Sequence, residues 1–408
     1  MGKEGADVKI AGIVAEYNPF HTGHAYQIGR TRADLGGDAG IVAVMSGNWV
    51  QQADCAIAHK WTRARLALMG GADLVLELPT VWAMSSAETF ARGAVALLAA
   101  SGVVTHLSFG SECGDADKLR QVAACLDSPG YRAQLRRVLD GGAAFAACRQ
   151  AVVRELLGEE LSQLLSTPNN NLGVEYIRSL NALKSTIRPM TVLRKGAAHN
   201  SLSEERSPFV SATQIRQDLR KGRWEAAEPY LVPGGRAVLE GELAGLPDLH
   251  RVERAMLTRV RTMTARDWAV LPDSGAEEGL PQRLEKAGRQ CASMEEYFAL
   301  AKSKRYAHAR LRRLVLWTYL GLTAPDRPQY PPYLRVLGFN SRGREILKEM
   351  KDRSALPVLT KPAHARELDE EGRRLFELEA RCTDLYGLCF EKVPAPGREW
   401  TTGPVILL

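Results

Sequence analysis

Short, nearly all-apolar runs alternate with helix-length stretches through the first 110 residues, and this alternation leaves few folds open to the chain. The runs are Lys9 to Ala15, Ile41 to Met45, Leu74 to Leu78 and Val103 to Phe109. Each has the look of a strand buried on both faces of a parallel sheet. Between them lie amphipathic or alanine-rich stretches of helix length: His24 to Asp34, Lys60 to Met69 and Ser86 to Ala100. Strand alternating with helix means βαβ units, and so an α/β fold with a Rossmann-like, doubly wound parallel sheet. Met190 to Leu193 predicts a fifth strand.

In such a sheet the ligand lies beyond the carboxyl ends of the strands, where the strand order reverses. The informative residues therefore follow the strands: Glu16 to His24, Ser46-Gly47-Asn48, Glu77 to Pro79, Gly110-Ser111-Glu112 and Arg194-Lys195-Gly196. Ordinary turn chemistry is the competing reading for the second and fourth of these. The first is the most particular, Glu16-Tyr17-Asn18-Pro19-Phe20-His21-Thr22-Gly23-His24. Asn18-Pro19 makes a turn, Gly23 admits close approach of a ligand, and a helix starting near His24 aims free N–H groups and its positive dipole end at the same place. The result is an anion site with two imidazoles in it.

Three further segments carry chemistry. Ser211-Ala212-Thr213-Gln214-Ile215-Arg216 opens a helix and sets hydroxyls, N–H groups and a guanidinium where phosphate oxygens could meet them; read alone, it is a serine cap and a solvated arginine. Thr167 to Tyr176 is a turn and helix whose run Asn169-Asn170-Asn171 either caps that helix or reads a nucleoside. Lys60, Trp61 and Arg63 form either a solvated face with one buried indole or a cation site for a phosphate or carboxylate.

At 408 residues two domains are expected, and the cluster Pro229, Pro233, Gly234 and Gly235 marks the junction. Residues 1–230 form the nucleotide-binding part. Residues 231–408 form a mainly α-helical domain, with helices over Leu249 to Thr264, Leu280 to Gln290, Ser293 to Leu320 and Glu367 to Tyr386. Tyr333 to Phe339 is either a short strand or an irregular docking segment. The formal net charge of +7 tilts the partners toward polyanions, and residues 301–360 hold 13 Lys or Arg against 4 Asp or Glu. Lys302, Lys304, Arg305, Arg310, Arg312 and Arg313 read as a surface for the phosphates of a folded RNA, or else as a solvated helix face; Arg335, Arg342 and Arg344 extend it. Seven scattered cysteines without C-x-x-C spacing read as reduced thiols, with neither a disulfide framework nor a metal site. With no run long enough to span a membrane, a cytoplasmic location is expected.

The two imidazoles and the Ser211 to Arg216 segment resemble the H-x-G-H and S-[ST]-T-x-[IL]-R signatures of the nucleotidyltransferase superfamily. Adding M-S-G-N (Met45 to Asn48), K-W-T-R-A (Lys60 to Ala64), G-A-D-L-V-x-E-L-P (Gly71 to Pro79), F-G-S-E (Phe109 to Glu112) and P-N-N-x-L-G (Pro168 to Gly173), the chain resembles the tRNA(Met) cytidine acetate ligase family over nearly all of residues 9–220. That resemblance implies a ligase that activates acetate with ATP and magnesium to acetyl-adenylate and pyrophosphate. The acetyl group then passes to the exocyclic amine of the wobble cytidine of elongator methionine tRNA. It implies that His21, His24, Ser211, Thr213 and Arg216 converge on the triphosphate. The ATP-binding loop falls on Val14, Ala15, Glu16, Tyr17, Asn18, Pro19, Phe20, His21, Thr22, Gly23, His24, Ala25, Tyr26 and Gln27, with Gly110, Asn169 or Asn170, and Arg194 completing the site.

Two departures stand out: Gln51-Gln52-Ala53-Asp54-Cys55-Ala56 replaces Q-R-G-E-P-A, and His59 replaces an aspartate. The first removes a cation and a turn glycine. Two other functions fit the same residues. A nucleotidyltransferase making a dinucleotide or nucleotide-activated metabolite would need little beyond residues 1–230 and would use the basic half for assembly, and a non-catalytic RNA-binding protein would leave the intact phosphate motifs without a task.

Overall fold

The computed structural model describes residues 9–139, 145–194, 209–241 and 245–408. Five parallel strands form the centre of the sheet: β1 (Ile10–Ala15), β2 (Gly40–Ser46), β3 (Leu74–Leu78), β4 (His106–Ser111) and β5 (Arg188–Leu193). Their spatial order is β3-β2-β1-β4-β5, so the order reverses between β1 and β4. All five expected strands are present, and the α/β, doubly wound class is as expected.

Alternation of side chains puts successive residues on opposite faces. Ile41, Ala43 and Met45 of β2 join one core with Phe20, Trp61 and Ile215, while Val42 and Val44 join the other with Trp82, Leu97 and Trp317. Helices α1 (Thr22–Leu35), α2 (Lys60–Met69), α3 (Ala87–Ala100), α4 (Pro168–Ala182) and α5 (Ala212–Arg220) pack around this sheet.

The carboxy-terminal half is largely helical, but it also finishes the sheet. The segment read as a strand or a docking segment is β6 (Leu334–Asn340), antiparallel to β3, and β7 (Val405–Leu407) lies parallel to β6 at the edge. The single helix expected over Ser293 to Leu320 is two helices, α6 (Met294–Ala301) and α7 (His308–Tyr319). The Arg283 guanidinium explains the break. It donates to the carbonyls of Leu300, Ala301 and Lys302, closing α6 where further helix would have used those oxygens. Buried Tyr306 then anchors the connection, its hydroxyl donating to Glu278 O at 2.7 Å. Helix α8 (Glu370–Gly387) runs back against the first half. Among the described residues no helix is long and apolar enough to cross a membrane.

Candidate active site

The loop after β1 places two imidazoles against each other. Helix α1 starts at Thr22, two residues before the expected start, because His21 is its N-cap and His24 its third residue. The Nδ1 of His21 accepts the N–H of Gly23 at 3.1 Å, and the Nδ1 of His24 accepts the N–H of His21 at 3.2 Å. This is a capping box built from histidines, in which each side chain satisfies a helix-end donor. Because each Nδ1 is an acceptor, the proton of each neutral ring sits on Nε2. Burial, then the Arg194 and Arg216 charges, lower the pKa of His21 to about 3; burial, then His21 and Arg194, hold His24 well below the usual imidazole range. Both rings are therefore neutral donors at pH 7.

Their packing is equally specific. The rings lie 3.8 Å apart between centroids, and Tyr17 and Phe20 close on His24 at 4.8 and 5.3 Å. Tyr17 holds this place with φ of 44°, in the left-handed region. Phe20 is fully buried where a Cβ on Gly70 would stand 2.1 Å from its ring. At Gly23 a Cβ would lie 2.9 Å from the His21 ring, so this glycine makes room for the histidine itself rather than for a ligand.

His21, Gly23, His24, Tyr26 and Gln27 line a cleft with Gly110, Arg194 and Ser211. It opens beyond the carboxyl ends of β1, β4 and β5, at the reversal of strand order. Asn18 and Arg216 fasten the loop that carries the histidines. Asn18 Oδ1, for example, accepts the Ile57 N–H at 2.7 Å.

Thr213 and Arg216 stand behind the cleft. Arg216 is buried and donates to Asn18 O at 2.8 Å and to the Thr213 hydroxyl at 3.1 Å, so it braces the turn that carries the histidines. Ser211 lines the cleft and caps α5, its hydroxyl accepting the Gln214 N–H at 3.2 Å. Asn169 and Asn170 make different contacts, and neither side chain caps α4. Asn169 Oδ1 accepts from Arg194 at 3.4 Å; Asn170 turns inward and accepts the N–H groups of Glu112 and Cys113. Lys195 and Gly196 lie outside the described residues.

Sequence reasoning gave no role to Glu112, although its motif was visible. Its carboxylate accepts the Asn169 amide at 2.6 Å and the Asn170 N–H at 2.8 Å, so it fixes the orientation of the residue that holds Arg194. The cations of α2 stand apart from the cleft and from solvent. Lys60 is buried between Glu77 and Glu399, at 2.6 Å from each, and Arg63 binds the carbonyls of Glu16, Ser46 and Gly47, fastening the ends of β1 and β2. Neither the solvated face nor the phosphate contact read from the sequence describes them.

Nor does the basic set form one helix face. Lys302, Lys304 and Arg305 are exposed in the connection between α6 and α7. Arg310 is tied to Asp273 O at 2.7 Å and Glu278 at 3.2 Å, Arg312 donates to Ala53 O at 3.0 Å, and Arg313 is half-buried. Among the described residues no group of three His, Cys, Asp or Glu side chains is placed to hold a metal ion.

The model of the family described as HIGH Nucleotidyl Transferase matches residues 8–399. The tRNA(Met) cytidine acetate ligase of Thermoanaerobacter sp. (strain X514) is 36% identical over 96% of this chain and 98% of its own length. The enzyme of the same name from Syntrophomonas wolfei is also 36% identical, over 97% and 99%. The crystal structure of Thermotoga maritima TmcAL bound with alpha-thio ATP superposes with a TM-score of 0.90 at 32% identity, covering 98% of this chain and 99% of that one. The apo form of that protein gives 0.92 at 33% identity. With its paired histidines at the strand reversal and this likeness along nearly its whole length, the chain belongs to the HIGH nucleotidyl transferases and, within them, to the tRNA(Met) cytidine acetate ligase family.

Proposed function

We propose that this chain is an ATP-dependent ligase that forms acetyl-adenylate and transfers the acetyl group to the exocyclic amine of the wobble cytidine of elongator methionine tRNA, giving N4-acetylcytidine. The observation that carries the reading is the reciprocal histidine cap, which leaves two neutral Nε2–H donors at the N-terminus of α1, in the cleft at the reversal of strand order. ATP binds there with its triphosphate against His21, His24 and Arg194. An acetate oxygen attacks the α-phosphorus and the bond to the bridging oxygen breaks, so negative charge grows on the departing pyrophosphate. Donors already aimed at that charge need no reorganisation, so positioning and electrostatics supply most of the acceleration. Neutral imidazoles suit the task because they neither titrate near pH 7 nor bind the product as tightly as a cation would. Magnesium enters as the counter-ion of ATP, as part of the substrate.

Lys302, Lys304 and Arg305 are exposed where the tRNA backbone could meet them, and Arg310, Arg312 and Arg313 border that connection. The deciding experiment incubates the protein with labelled acetate, ATP, magnesium and total tRNA, then digests the RNA. Label in N4-acetylcytidine is the expected result. Acetate-dependent pyrophosphate release without labelled RNA would keep the first half-reaction and overturn the acceptor. His21→Ala should lower acetate-dependent pyrophosphate release by about 100-fold, the scale of one lost charge-stabilising donor, with a melting temperature lowered only by the few degrees that one lost helix cap costs. Undiminished release would remove His21 from the mechanism.

A further inference from the structure

At one edge of the nucleotide cleft, the ends of β4 and β5 meet the first turn of α4. Glu112, which follows β4, directs both carboxylate oxygens to that turn. Its Oε1 accepts the Asn169 Nδ2 at 2.6 Å and the Asn169 N–H at 3.3 Å, and its Oε2 accepts the Asn170 N–H at 2.8 Å. Asn170 Oδ1 answers by accepting the N–H groups of Glu112 at 3.0 Å and Cys113 at 3.2 Å. Loop and helix are locked reciprocally beside Arg194, at the end of β5. Burial raises the pKa of Glu112, but the bonds from Asn169 and Asn170 outweigh it and leave the group below the usual carboxylate range. At pH 7 it is therefore ionised and accepts on both oxygens.

A side-chain amide has a donor end and an acceptor end, so an acceptor on one side dictates what the other side presents. With its NH2 group held by Glu112, Asn169 presents Oδ1 to Arg194, whose Nη1 donates to it at 3.4 Å. The Arg194 stem crosses Gly110, where a Cβ would stand 3.3 Å from the arginine Cγ. Arg194 is exposed, lines the cleft with His21 and His24, and among the described residues has no ion-pair partner. The carboxylate thus reaches the arginine only through a neutral group. Direct contact would pair the two charges, and an incoming phosphate would have to displace the carboxylate before meeting the guanidinium. A bond of 3.4 Å to a neutral oxygen is weak and readily exchanged for one to a phosphate oxygen. The amide sets the direction of the arginine and leaves its charge available.

We propose that Glu112 is a positioning residue for ATP, which uses the Asn169 amide as a neutral spacer to aim Arg194 at the triphosphate with its charge uncompensated. This rests on the ATP reading of the cleft given above and adds to it the group that orients one of its phosphate ligands.

The full-length protein is compared with Glu112→Gln, Arg194→Gln and the variant carrying both, using acetate-dependent exchange of pyrophosphate into ATP, which needs no RNA. Glu112→Gln replaces one acceptor by a donor, which frees Asn169 or the Asn170 N–H, and should lower kcat/KM for ATP about tenfold, the scale of one misplaced charge-assisted contact. Since Glu112 acts through Arg194, adding Glu112→Gln to Arg194→Gln should lower it by no more than about twofold further. Losses that multiply would overturn the proposal. Glu112→Gln/Asn169→Asp separates aim from charge. It restores a donor and an acceptor between the two side chains with the polarity reversed, so the lock re-forms, while a carboxylate now faces Arg194 directly. This variant should melt close to the parent's temperature and still show the lowered kcat/KM. Full recovery of kcat/KM in it would overturn the neutral spacer and make Glu112 a prop of the fold. If the parent neither binds ATP nor supports the exchange, the reading of the cleft fails, and the positioning role fails with it.

Discussion

Gly70 shows how a residue with no chemistry of its own can hold a reactive one. A Cβ there would overlap the Phe20 ring, which packs against His24, so the glycine governs where an imidazole stands nearly fifty residues away. Gly70→Ala should destabilise the fold by about 1–3 kcal/mol through overpacking and raise the KM for ATP by displacing His24. Denaturant unfolding and steady-state kinetics would read the two effects, and an unchanged KM would cut the proposed link. Ala53 presents the reverse case. It sits at φ 58° in a tight turn, a conformation that an L-residue with a Cβ adopts at a cost. Its carbonyl nevertheless holds Arg312, which ties the turn to α7. Ala53→Gly should keep that contact and stabilise the protein by about 1 kcal/mol, measured as a higher denaturation midpoint.

Helix α2 brings His59, Lys60 and Arg63 into the interior within its first turn and cap, and each is kept there by a different device. Arg63 is saturated by backbone carbonyls, Lys60 is held charged by Glu399 and Glu77 against the cost of burial, and His59 stacks on Phe390 at 4.9 Å in its neutral form. Burial, then the charges of Arg398, Lys60 and Arg63, depress His59 to about 2, below its unfolded value near 6.5. As pH falls below 6.5 the unfolded chain gains that proton first, so the His59 contribution is undiminished above 6.5 and is lost as pH drops. His59→Phe, which cannot titrate, should therefore gain on the parent by up to about 1.4 kcal/mol per pH unit between pH 6.5 and 5. Urea unfolding of both proteins at several pH values would show it, and a constant difference would refute it.

The same helix marks where the sequence stops being readable. Its span from Lys60 to Met69 follows from local pattern, as do the five parallel strands and the histidine cap, because each depends on neighbours within a few residues. The partners of Lys60 include Glu399, and those of Arg63 are main-chain oxygens at the ends of two strands. No window of sequence contains either set. Arg216 shows the same limit: its local motif is visible, while the carbonyl of Asn18 that it holds belongs to a distant loop.

At the scale of the molecule, the expected division near residue 230 meets a sheet and an ion cluster that both cross it. Lys60 and Glu77 from one side join Arg335, Glu379 and Glu399 from the other, all buried. Burial, then the nearby Glu77 charge, raises Glu379 to about 8, so it is largely protonated at neutral pH and the remaining two cations and two carboxylates balance. Lys60→Met should leave Glu77 and Glu399 with Arg335 as their one remaining cation and cost about 3–5 kcal/mol, read as a lower urea midpoint. A loss below 1 kcal/mol would mean that water reaches the cluster. The antiparallel pairing of β3 with β6 carries a consequence for biosynthesis. Leu74 and Phe339 are partners in that register, yet the ribosome adds the second roughly 13–50 s after the first at ordinary elongation rates. During that interval the nascent chain exposes the unprotected flank of β3, an edge able to pair with any passing strand. The catalytic half is thus made first and finished last, and its exposure to misassembly depends on how fast the message is read.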